Sequence, residues 1–222
     1  MIVLPNYVIA LKGSEADVGL VLGSFAFTAL LSRPVVGRLV DTWGRKPVAM
    51  TGCFIFAVSP VLYIFASSVP VLIIMRMFHG LGISCFSTAG TTWVADIVPP
   101  ARRGEAMGLY SNASQIALAF APLIGSAIYA WAGFRVLFIS STLVATVSLL
   151  VAGVVHEQRR EDVRGMPQGN FGQALGQRSI LAMAFAMMTT AATWGVIISF
   201  LPVFSTQRGV GPPALFFTLH AA

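Results

Sequence analysis

Charged residues are scarce in this sequence. Only 10% of its 222 residues are Asp, Glu, Lys or Arg, and 56% are hydrophobic, whereas a soluble domain carries roughly 25% charged residues. So little charge could not cover the surface of a soluble globule, which excludes a soluble enzyme or binding module. The net charge of +6 is spread in small groups between apolar runs. It does not form the clustered basic surface that nucleic acids require.

Cysteines and catalytic motifs are equally sparse. Cys53 and Cys85 lie inside apolar runs without partner spacing, which is typical of buried hydrophobic residues and argues against a disulfide or a metal site. P-loop, HExxH and GxSxG patterns are also lacking. We therefore expect no enzymatic activity, no cofactor and no metal. The middles of the long apolar runs contain no acidic residue.

Long apolar runs dominate the sequence instead. A helix needs about 20 mostly apolar residues to cross the hydrocarbon core of a membrane. Six runs reach this length: Val18–Val40, Val48–Ser68, Val71–Val94, Ala106–Trp131, Val136–Val155 and Ile180–Phe204. They predict an all-α integral membrane protein, folded as a multi-pass helical bundle. Shorter apolar pieces at 1–11 and 215–222 are interpreted as parts of two further helices, and the first piece as the outer end of a helix whose body is missing.

Basic residues in the connections predict the orientation. One set of loops holds nine of them, and the other holds only three, Lys12, Arg135 and Arg208; the nine are Arg38, Arg45, Lys46, Arg102, Arg103, Arg159, Arg160, Arg164 and Arg178. The positive-inside rule places the richer set in the cytoplasm and the first loop outside. The predicted location is the plasma membrane, of the bacterial inner-membrane type.

The polar stretch 156–178 predicts a cytoplasmic linker. It would separate an N-terminal transmembrane bundle, residues 1–155, from the beginning of a C-terminal bundle, residues 179–222. Its Arg-rich start either contacts anionic membrane lipid or is a solvated run of charge, and both interpretations stay open.

An internal repeat suggests how much of a longer architecture this sequence represents. Leu4-Pro5-Asn6-Tyr7 is matched by Leu201-Pro202-Val203-Phe204, and each is followed by a basic residue and a glycine. Transporters built from two six-helix halves in the same orientation are known. The sequence would then hold an N-terminal six-helix half, with its first helix mostly missing, and the start of a C-terminal half. A chance match is the alternative.

The segment Gly37-Arg38-Leu39-Val40-Asp41-Thr42-Trp43-Gly44-Arg45-Lys46 connects the first two long runs. A carboxylate at a helix C-terminus is disfavoured by the helix dipole, so we expect Asp41 to pair with Arg38 or Arg45 nearby, or with the N-terminus of another helix. Gly37 would let that helix approach closely, and Gly44 allows a turn that other residues resist. An ordinary positive-inside loop explains Arg45 and Lys46 but not the other three positions.

This segment resembles the Gly-x-Leu-x-Asp-x-x-Gly-Arg-Lys signature of the major facilitator superfamily of secondary transporters. The resemblance implies two six-helix bundles that rock about a site near the membrane midplane. It also implies that Gly37, Asp41, Gly44, Arg45 and Lys46 form a conformational latch, with Asp41 binding a helix N-terminus of the opposite half. The partners implied are a small-molecule substrate and protons.

A second resemblance lies in Arg76-Met77-Phe78-His79-Gly80-Leu81-Gly82, which is similar to the family's Arg-x-x-x-Gly-x-Gly pattern. Arg76 would lie about 8–10 Å deep in the membrane, where an arginine usually faces a cavity or a counter-charge. His79, one helical turn away, is the only histidine inside a complete run. We interpret Arg76, His79 and Gly80 as a substrate or coupling site. The alternative is an Arg76 that reaches outward and a His79 satisfied by packing.

Two weaker resemblances complete the candidate residues. Ala121, Pro122 and Gly125 resemble part of the family's antiporter motif, but Ala117, Ala121 and Ser126 stand where that motif has glycine. They predict a helix-packing motif and a mild preference for antiport, and generic small-residue packing explains them nearly as well. By family analogy Thr193 and Trp194 would line the transport cavity, with a lipid-facing Trp194 as the alternative.

The loop after Val94 repeats the mixture of acidic and basic residues. We expect Asp96 and Glu105 to pair with Arg102, with Arg103 or with the first loop. Exposed pairs contribute little free energy individually, so their role would be to set the geometry of the bundle.

The resemblance covers nearly the whole sequence and predicts a transmembrane transporter of small molecules that works by alternating access. Proton-coupled efflux is the favoured form. The alternative is a truncated, transport-incompetent fragment, or a membrane scaffold that binds the missing C-terminal half or a second chain.

Overall fold

The computed structural model describes residues 3–155 and 176–208. The predicted linker 156–178 therefore lies almost wholly outside the described residues, as does the predicted partial helix at 215–222. The chain divides into two compact units, and of the described residues 3–155 belong to the first and 176–208 to the second. The predicted domain boundaries stay predictions.

The first unit consists of α-helices joined by short turns. Its helices are α1 (Leu4–Ala10), α2 (Glu15–Trp43), α3 (Arg45–Ile64), α4 (Val69–Ile97) and α5 (Arg103–Val154), with a 3₁₀ turn at Pro100–Arg102. The second unit contains α6 (Arg178–Arg208). No strand occurs within the two described ranges, which confirms the all-α prediction for this part of the chain.

Four stretches of the described residues are long and apolar enough to cross a membrane: α2, α3, α4 and the segment Pro100–Val154. The last is 55 residues long, more than twice the length that one crossing requires. It therefore accommodates two of the predicted runs. α6 covers the sixth run, and its apolar part extends over Leu181–Ile197.

α5 is broken at Gly133 into two arms, residues 103–132 and 134–154. Gly133 has φ 74° and ψ −173°, a conformation that is accessible to glycine and strained for residues with a side chain. The break falls between the predicted runs ending at Trp131 and beginning at Val136. It returns the second arm toward the bundle, where Phe138 is buried against Tyr7 and Tyr63.

Local sequence signals explain both ends of α2. Ser14 and Asp17 form a capping box, in which the Asp17 backbone N–H donates to Ser14 Oγ and the Ser14 backbone N–H donates to Asp17 Oδ2. The Ser14 backbone N–H, and to a smaller extent the Ser14 hydroxyl, donate to Asp17 Oδ2 and hold the pKa of Asp17 below its usual value. α2 ends at Trp43, and the following Gly44, with a φ of 103°, permits α3 to begin at Arg45.

Glycines let α4 pack closely against α2 and α3. A Cβ atom at Gly80 would lie 2.5 Å from the carbonyl oxygen of Phe25 in α2, and one at Gly52 in α3 would lie 2.6 Å from the backbone nitrogen of Phe86 in α4. Only a residue without a side chain allows backbones to approach so closely. These contacts fix α4 in the interior of the first unit.

α1 packs at the end of the first unit opposite to Gly44. Leu4, Tyr7 and Val8 are buried there in a cluster that includes Tyr63 and Leu72. The Tyr7 hydroxyl donates a 2.6 Å hydrogen bond to the backbone oxygen of Tyr63. This bond ties α1 to the C-terminal turn of α3.

Candidate functional site

Arg76 of α4 is buried in the interior of the first unit, with 2% of its surface exposed. Its guanidinium carbon lies 4.2 Å from the ring centroid of Phe25, a cation–π contact. Its Nη1 donates to the Tyr63 hydroxyl at 3.3 Å, and its Nε makes a long 3.5 Å contact with the backbone oxygen of Val21. No carboxylate forms an ion pair with it among the described residues. The alternative that Arg76 reaches outward is therefore not observed.

Tyr63 connects Arg76 to His79. The Tyr63 oxygen lies 2.6 Å from His79 Nδ1 while it accepts from Arg76. Since the hydroxyl proton is then free to donate, the satisfied arrangement has Tyr63 donating to Nδ1 and the His79 proton on Nε2. Arg76, Tyr63 and His79 thus form one hydrogen-bonded chain between α3 and α4, which we call the α4 polar chain.

Two nitrogens of the α4 polar chain have no hydrogen-bond partner in the described part of the molecule. They are Arg76 Nη2 and His79 Nε2. Buried polar groups usually have partners, and an unpaired one raises the free energy of the folded state by about 1–3 kcal/mol. Both atoms are donors in the arrangement above, so the site offers two unused donors to an acceptor.

Aromatic rings enclose His79. The ring centroids of Phe25, Phe56 and Tyr63 lie 5.4, 4.9 and 5.9 Å from that of His79. The two phenylalanines meet the imidazole at nearly perpendicular angles, 87° and 83°. This arrangement leaves His79 in an apolar surrounding in which its only hydrogen-bond partner among the described residues is Tyr63.

Two adjoining cavities lie beside the α4 polar chain. The larger has a volume of about 740 Å³, and its wall includes Phe25, Phe56, His79, Ile83 and Phe86. The smaller, about 260 Å³, is lined by Tyr63, Arg76 and His79 among others. The two share several lining residues from three helices: Pro60, His79, Ala121, Gly125, Leu137 and Ser141. The first unit therefore has a partly open cavity of ligand size next to its buried charge.

Of the three residues predicted for this site, Arg76 and His79 come together, and Gly80 supports them. Gly80 contributes the close contact with α2 rather than a surface for a ligand. Sequence reasoning missed Tyr63 and Phe25. An aromatic residue in an apolar run carries no local signal that it will meet a charge on another helix.

The predicted latch lies at the far end of α2, where Gly44 forms the expected turn. Arg45 Nε donates to Asp96 Oδ2 at 2.9 Å, so the first loop pairs with the second, which is one of the alternatives predicted for Asp96. Lys46 Nζ donates to the backbone oxygen of Gly153 at 2.7 Å, near the C-terminus of α5 where a cation is favoured. These contacts tie α3 to α4 and α5.

Asp41 is exposed and takes part in none of the ion pairs of the described residues. A Cβ atom at Gly37, one helical turn before it, would find no neighbouring atom within 4 Å. The expected pairing of Asp41 with Arg38 or Arg45 is therefore not observed. The face of α2 that carries Gly37 and Asp41 is open.

The second loop is held mainly by local bonds. Arg102 makes two hydrogen bonds with Glu105, at 2.9 and 3.0 Å, and this pairing raises the pKa of Arg102. Arg103 Nε donates to the backbone oxygen of Ala95 at 3.0 Å. The pair of Glu105 with Arg102 is as expected from the sequence, and both side chains are largely exposed.

A profile of the Major Facilitator Superfamily matches residues 1–222 of this sequence. The chain belongs to that superfamily. Among curated proteins, it is 29% identical over 228 residues to the MFS-type transporter YhhS of Escherichia coli K12, covering 99% of this chain and 55% of YhhS. It is 26% identical over 225 residues to Multidrug resistance protein 2 of Bacillus subtilis, covering 99% of this chain and 53% of that protein.

The solved structures agree with the superfamily fold. The inward-open structure of the xylose transporter XylE from E. coli matches with a TM-score of 0.59 at 18% identity, over 95% of this chain and 56% of XylE. This likeness concerns the fold alone, and it confirms the predicted superfamily architecture. The chain spans about half the length of the relatives it matches.

The predicted helix-packing residues lie beside the two cavities. Ala121 and Gly125 line both cavities and Pro122 lines the smaller one. A Cβ atom at Gly125 would meet only Leu137, at an ordinary 3.8 Å, so a close helix contact is not seen here and the packing role stays a prediction. Thr193 is exposed in α6 and donates to the Thr189 backbone oxygen; the side chain of Trp194 lies outside the described residues.

Proposed function

We propose that the chain forms the N-terminal bundle of a superfamily transporter that moves small molecules by alternating access, as proton-coupled efflux, in an inner membrane of bacterial type with its first loop outside. Superfamily membership supports transport in general. The likeness to a protein named for multidrug resistance supports efflux.

The surroundings of Arg76 give this proposal its strongest support. Arg76 is buried without an ion-pair partner among the described residues, hydrogen-bonded through Tyr63 to His79, at the edge of a cavity. Ionisable groups within membrane-spanning helices are unfavourable and usually serve a substrate or proton pathway. Because no acid lies in the middle of a complete run, His79 is the candidate proton carrier of this half.

The latch is the second part of the proposal. Asp41 stands exposed near the C-terminus of α2, where the helix dipole disfavours a negative charge. A helix N-terminus of the opposite half would satisfy both the carboxylate and the open face at Gly37. Gly44, Arg45 and Lys46 would hold the loop in place through the observed turn and the contacts with Asp96 and Gly153.

A transport-incompetent fragment or a membrane scaffold is the second candidate. The large apolar side chains exposed on α2 and α5, such as Phe27, Leu30, Leu109 and Leu143, favour it because they present surface that a second chain could cover. Such faces also suit lipid, so flux is the discriminating measurement.

Proteoliposomes can separate the two candidates. The complete polypeptide of the reading frame that contains this sequence, and in parallel the 222-residue chain, would be reconstituted with an imposed pH gradient. The probes are ethidium, a cation, and 8-anilinonaphthalene-1-sulfonate, an anion. We expect gradient-driven flux of at least one probe from the complete polypeptide. Absence of flux with both probes in both samples would contradict transport and support the scaffold.

Substitution of the latch residue tests its role. We expect Asp41→Ala to reduce driven flux about tenfold, equivalent to about 1.4 kcal/mol on the rate-limiting step, because the helix of the opposite half loses its partner. Glu15→Ala removes an exposed acid at the other end of the same helix and is the matched control. Wild-type flux from Asp41→Ala would overturn the latch assignment.

A further inference from the structure

The two cavities beside the α4 polar chain contain a buried positive charge and no negative one. Arg76 lines the smaller cavity, and neither Asp nor Glu lines either cavity among the described residues. An uncompensated buried charge raises the free energy of the folded state by several kcal/mol unless a partner approaches it. A bound anion would supply that partner.

The unused hydrogen-bonding atoms point to the same kind of ligand. Arg76 Nη2 and His79 Nε2 are unpaired, and both carry protons when Tyr63 donates to His79 Nδ1. A ligand group that accepts two hydrogen bonds, such as a carboxylate or a sulfonate, satisfies both donors. An ammonium group satisfies neither, and it would lie next to a like charge.

The walls of the larger cavity offer a cation no carboxylate among the described residues. The hydroxyls of Ser140, Ser141 and Ser148 donate to backbone oxygens of their own helix. The Phe25 ring already holds the Arg76 guanidinium, and Phe56 presents a T-shaped contact to His79. What remains for a ligand is mainly apolar surface from aromatic and aliphatic side chains.

We propose that these cavities bind a lipophilic organic anion, with its apolar body in the larger cavity and its acidic group at Arg76 and His79. This inference rests on the proposed function, since it assigns the substrate class of the same site. Binding can nevertheless be measured without transport, so the two proposals fail separately.

A set of three probes with one apolar body isolates the contribution of the head group. Pyrenebutyrate, pyrenebutanol and pyrenebutylamine would be titrated into nanodiscs containing the 222-residue chain, and the signal of empty nanodiscs subtracted to remove partition into lipid. We expect the carboxylate to bind at least about tenfold more tightly than the ammonium, with the alcohol in between. Equal binding, a preference for the ammonium, or no specific binding of any probe would overturn the proposal.

Variants test whether Arg76 creates the preference. Arg76→Gln should abolish it, whereas Arg33→Gln, which removes an exposed arginine of α2, should retain it. If Arg76→Gln does not fold, Arg76→Lys keeps the charge and loses the guanidinium donors, so the carboxylate should still be preferred but bind more weakly. A preference that persists in Arg76→Gln, or that is lost in Arg33→Gln, would contradict the assignment.

Cys53 reports where the probe binds. It is buried and lines the larger cavity, so in a Cys85→Ala background pyrenebutyrate should slow its alkylation by N-ethylmaleimide at the concentrations that saturate binding. Unchanged alkylation would place the probe elsewhere and overturn the proposal. Driven flux of ethidium combined with no carboxylate preference would leave the transport function standing and reject the substrate class.

Discussion

Arginine side chains have opposite surroundings in the interior of the first unit and at its predicted cytoplasmic end. In the interior, Arg76 is 2% exposed and has only neutral partners among the described residues. At the predicted cytoplasmic end, Arg45 meets a carboxylate and Arg102 meets another, with side chains that stay partly or largely exposed. A paired surface charge changes the free energy of folding little, whereas an unpaired buried charge makes folding less favourable. The interior charge is therefore the one that a structural role alone does not explain.

The interior is also more closely packed than the predicted cytoplasmic end, so the largest loss of stability is expected from a substitution in the interior. Gly80→Leu should lower the free energy of unfolding by about 3 kcal/mol, because its Cβ alone would lie 2.5 Å from the Phe25 carbonyl oxygen. Gly108→Leu at the predicted cytoplasmic end of α5, where a Cβ meets nothing within 4 Å, should change it by less than about 0.5 kcal/mol. Thermal unfolding in detergent measures both, and equal effects would remove the packing difference.

Removing one hydroxyl probes the α4 polar chain. Tyr63→Phe should destabilise the unit by about 2 kcal/mol, because Arg76 Nη1 and His79 Nδ1 lose their partner in a buried site. Tyr129→Phe is the matched control, since Tyr129 makes a ring contact with Phe134 but its hydroxyl has no hydrogen bond among those of the described residues. An unfolding midpoint of Tyr63→Phe that equals that of the control would contradict the hydrogen-bonded chain.

The smallest effect on stability is expected in the loops at the predicted cytoplasmic end. Asp96→Asn should lower the free energy of unfolding by about 1 kcal/mol or less, because the pair with Arg45 is partly exposed and is screened by solvent. The difference from wild type should shrink as salt is raised from 0.05 to about 0.5 M. Glu105→Gln, in the more exposed pair, should leave the unfolding midpoint unchanged. A large, salt-independent loss for Asp96→Asn would show that this end is as sensitive as the interior.

Sequence reasoning predicted the parts of the fold that depend on local composition. The apolar runs placed α2, α3 and α4 to within a few residues, because hydropathy and helix length are properties of a continuous segment. Gly44 was predicted to lie in a turn because glycine adopts backbone conformations that other residues resist, and its φ of 103° agrees with this. The break at Gly133 was located only as a gap between two runs.

Contacts across helices were harder to predict. Arg76 and His79 were found through their spacing on one helix, whereas Tyr63 and Phe25 come from α3 and α2 and are brought to them by packing. The need for a glycine at position 80 likewise comes from another helix, because the α2 backbone approaches it closely. For Asp96 the sequence left Arg102, Arg103 and the first loop open as partners, and the choice of Arg45 depends on where α3 and α4 end.

The central claim is that the α4 polar chain couples transport to protons, and flux with His79→Gln tests it most directly. The complete polypeptide would be assayed in proteoliposomes both for flux driven by a pH gradient and for exchange of labelled probe at equal pH. Glutamine keeps hydrogen-bonding capacity but does not titrate, so we expect driven flux to fall at least about tenfold while exchange is retained. Driven flux equal to wild type in His79→Gln would contradict the claim.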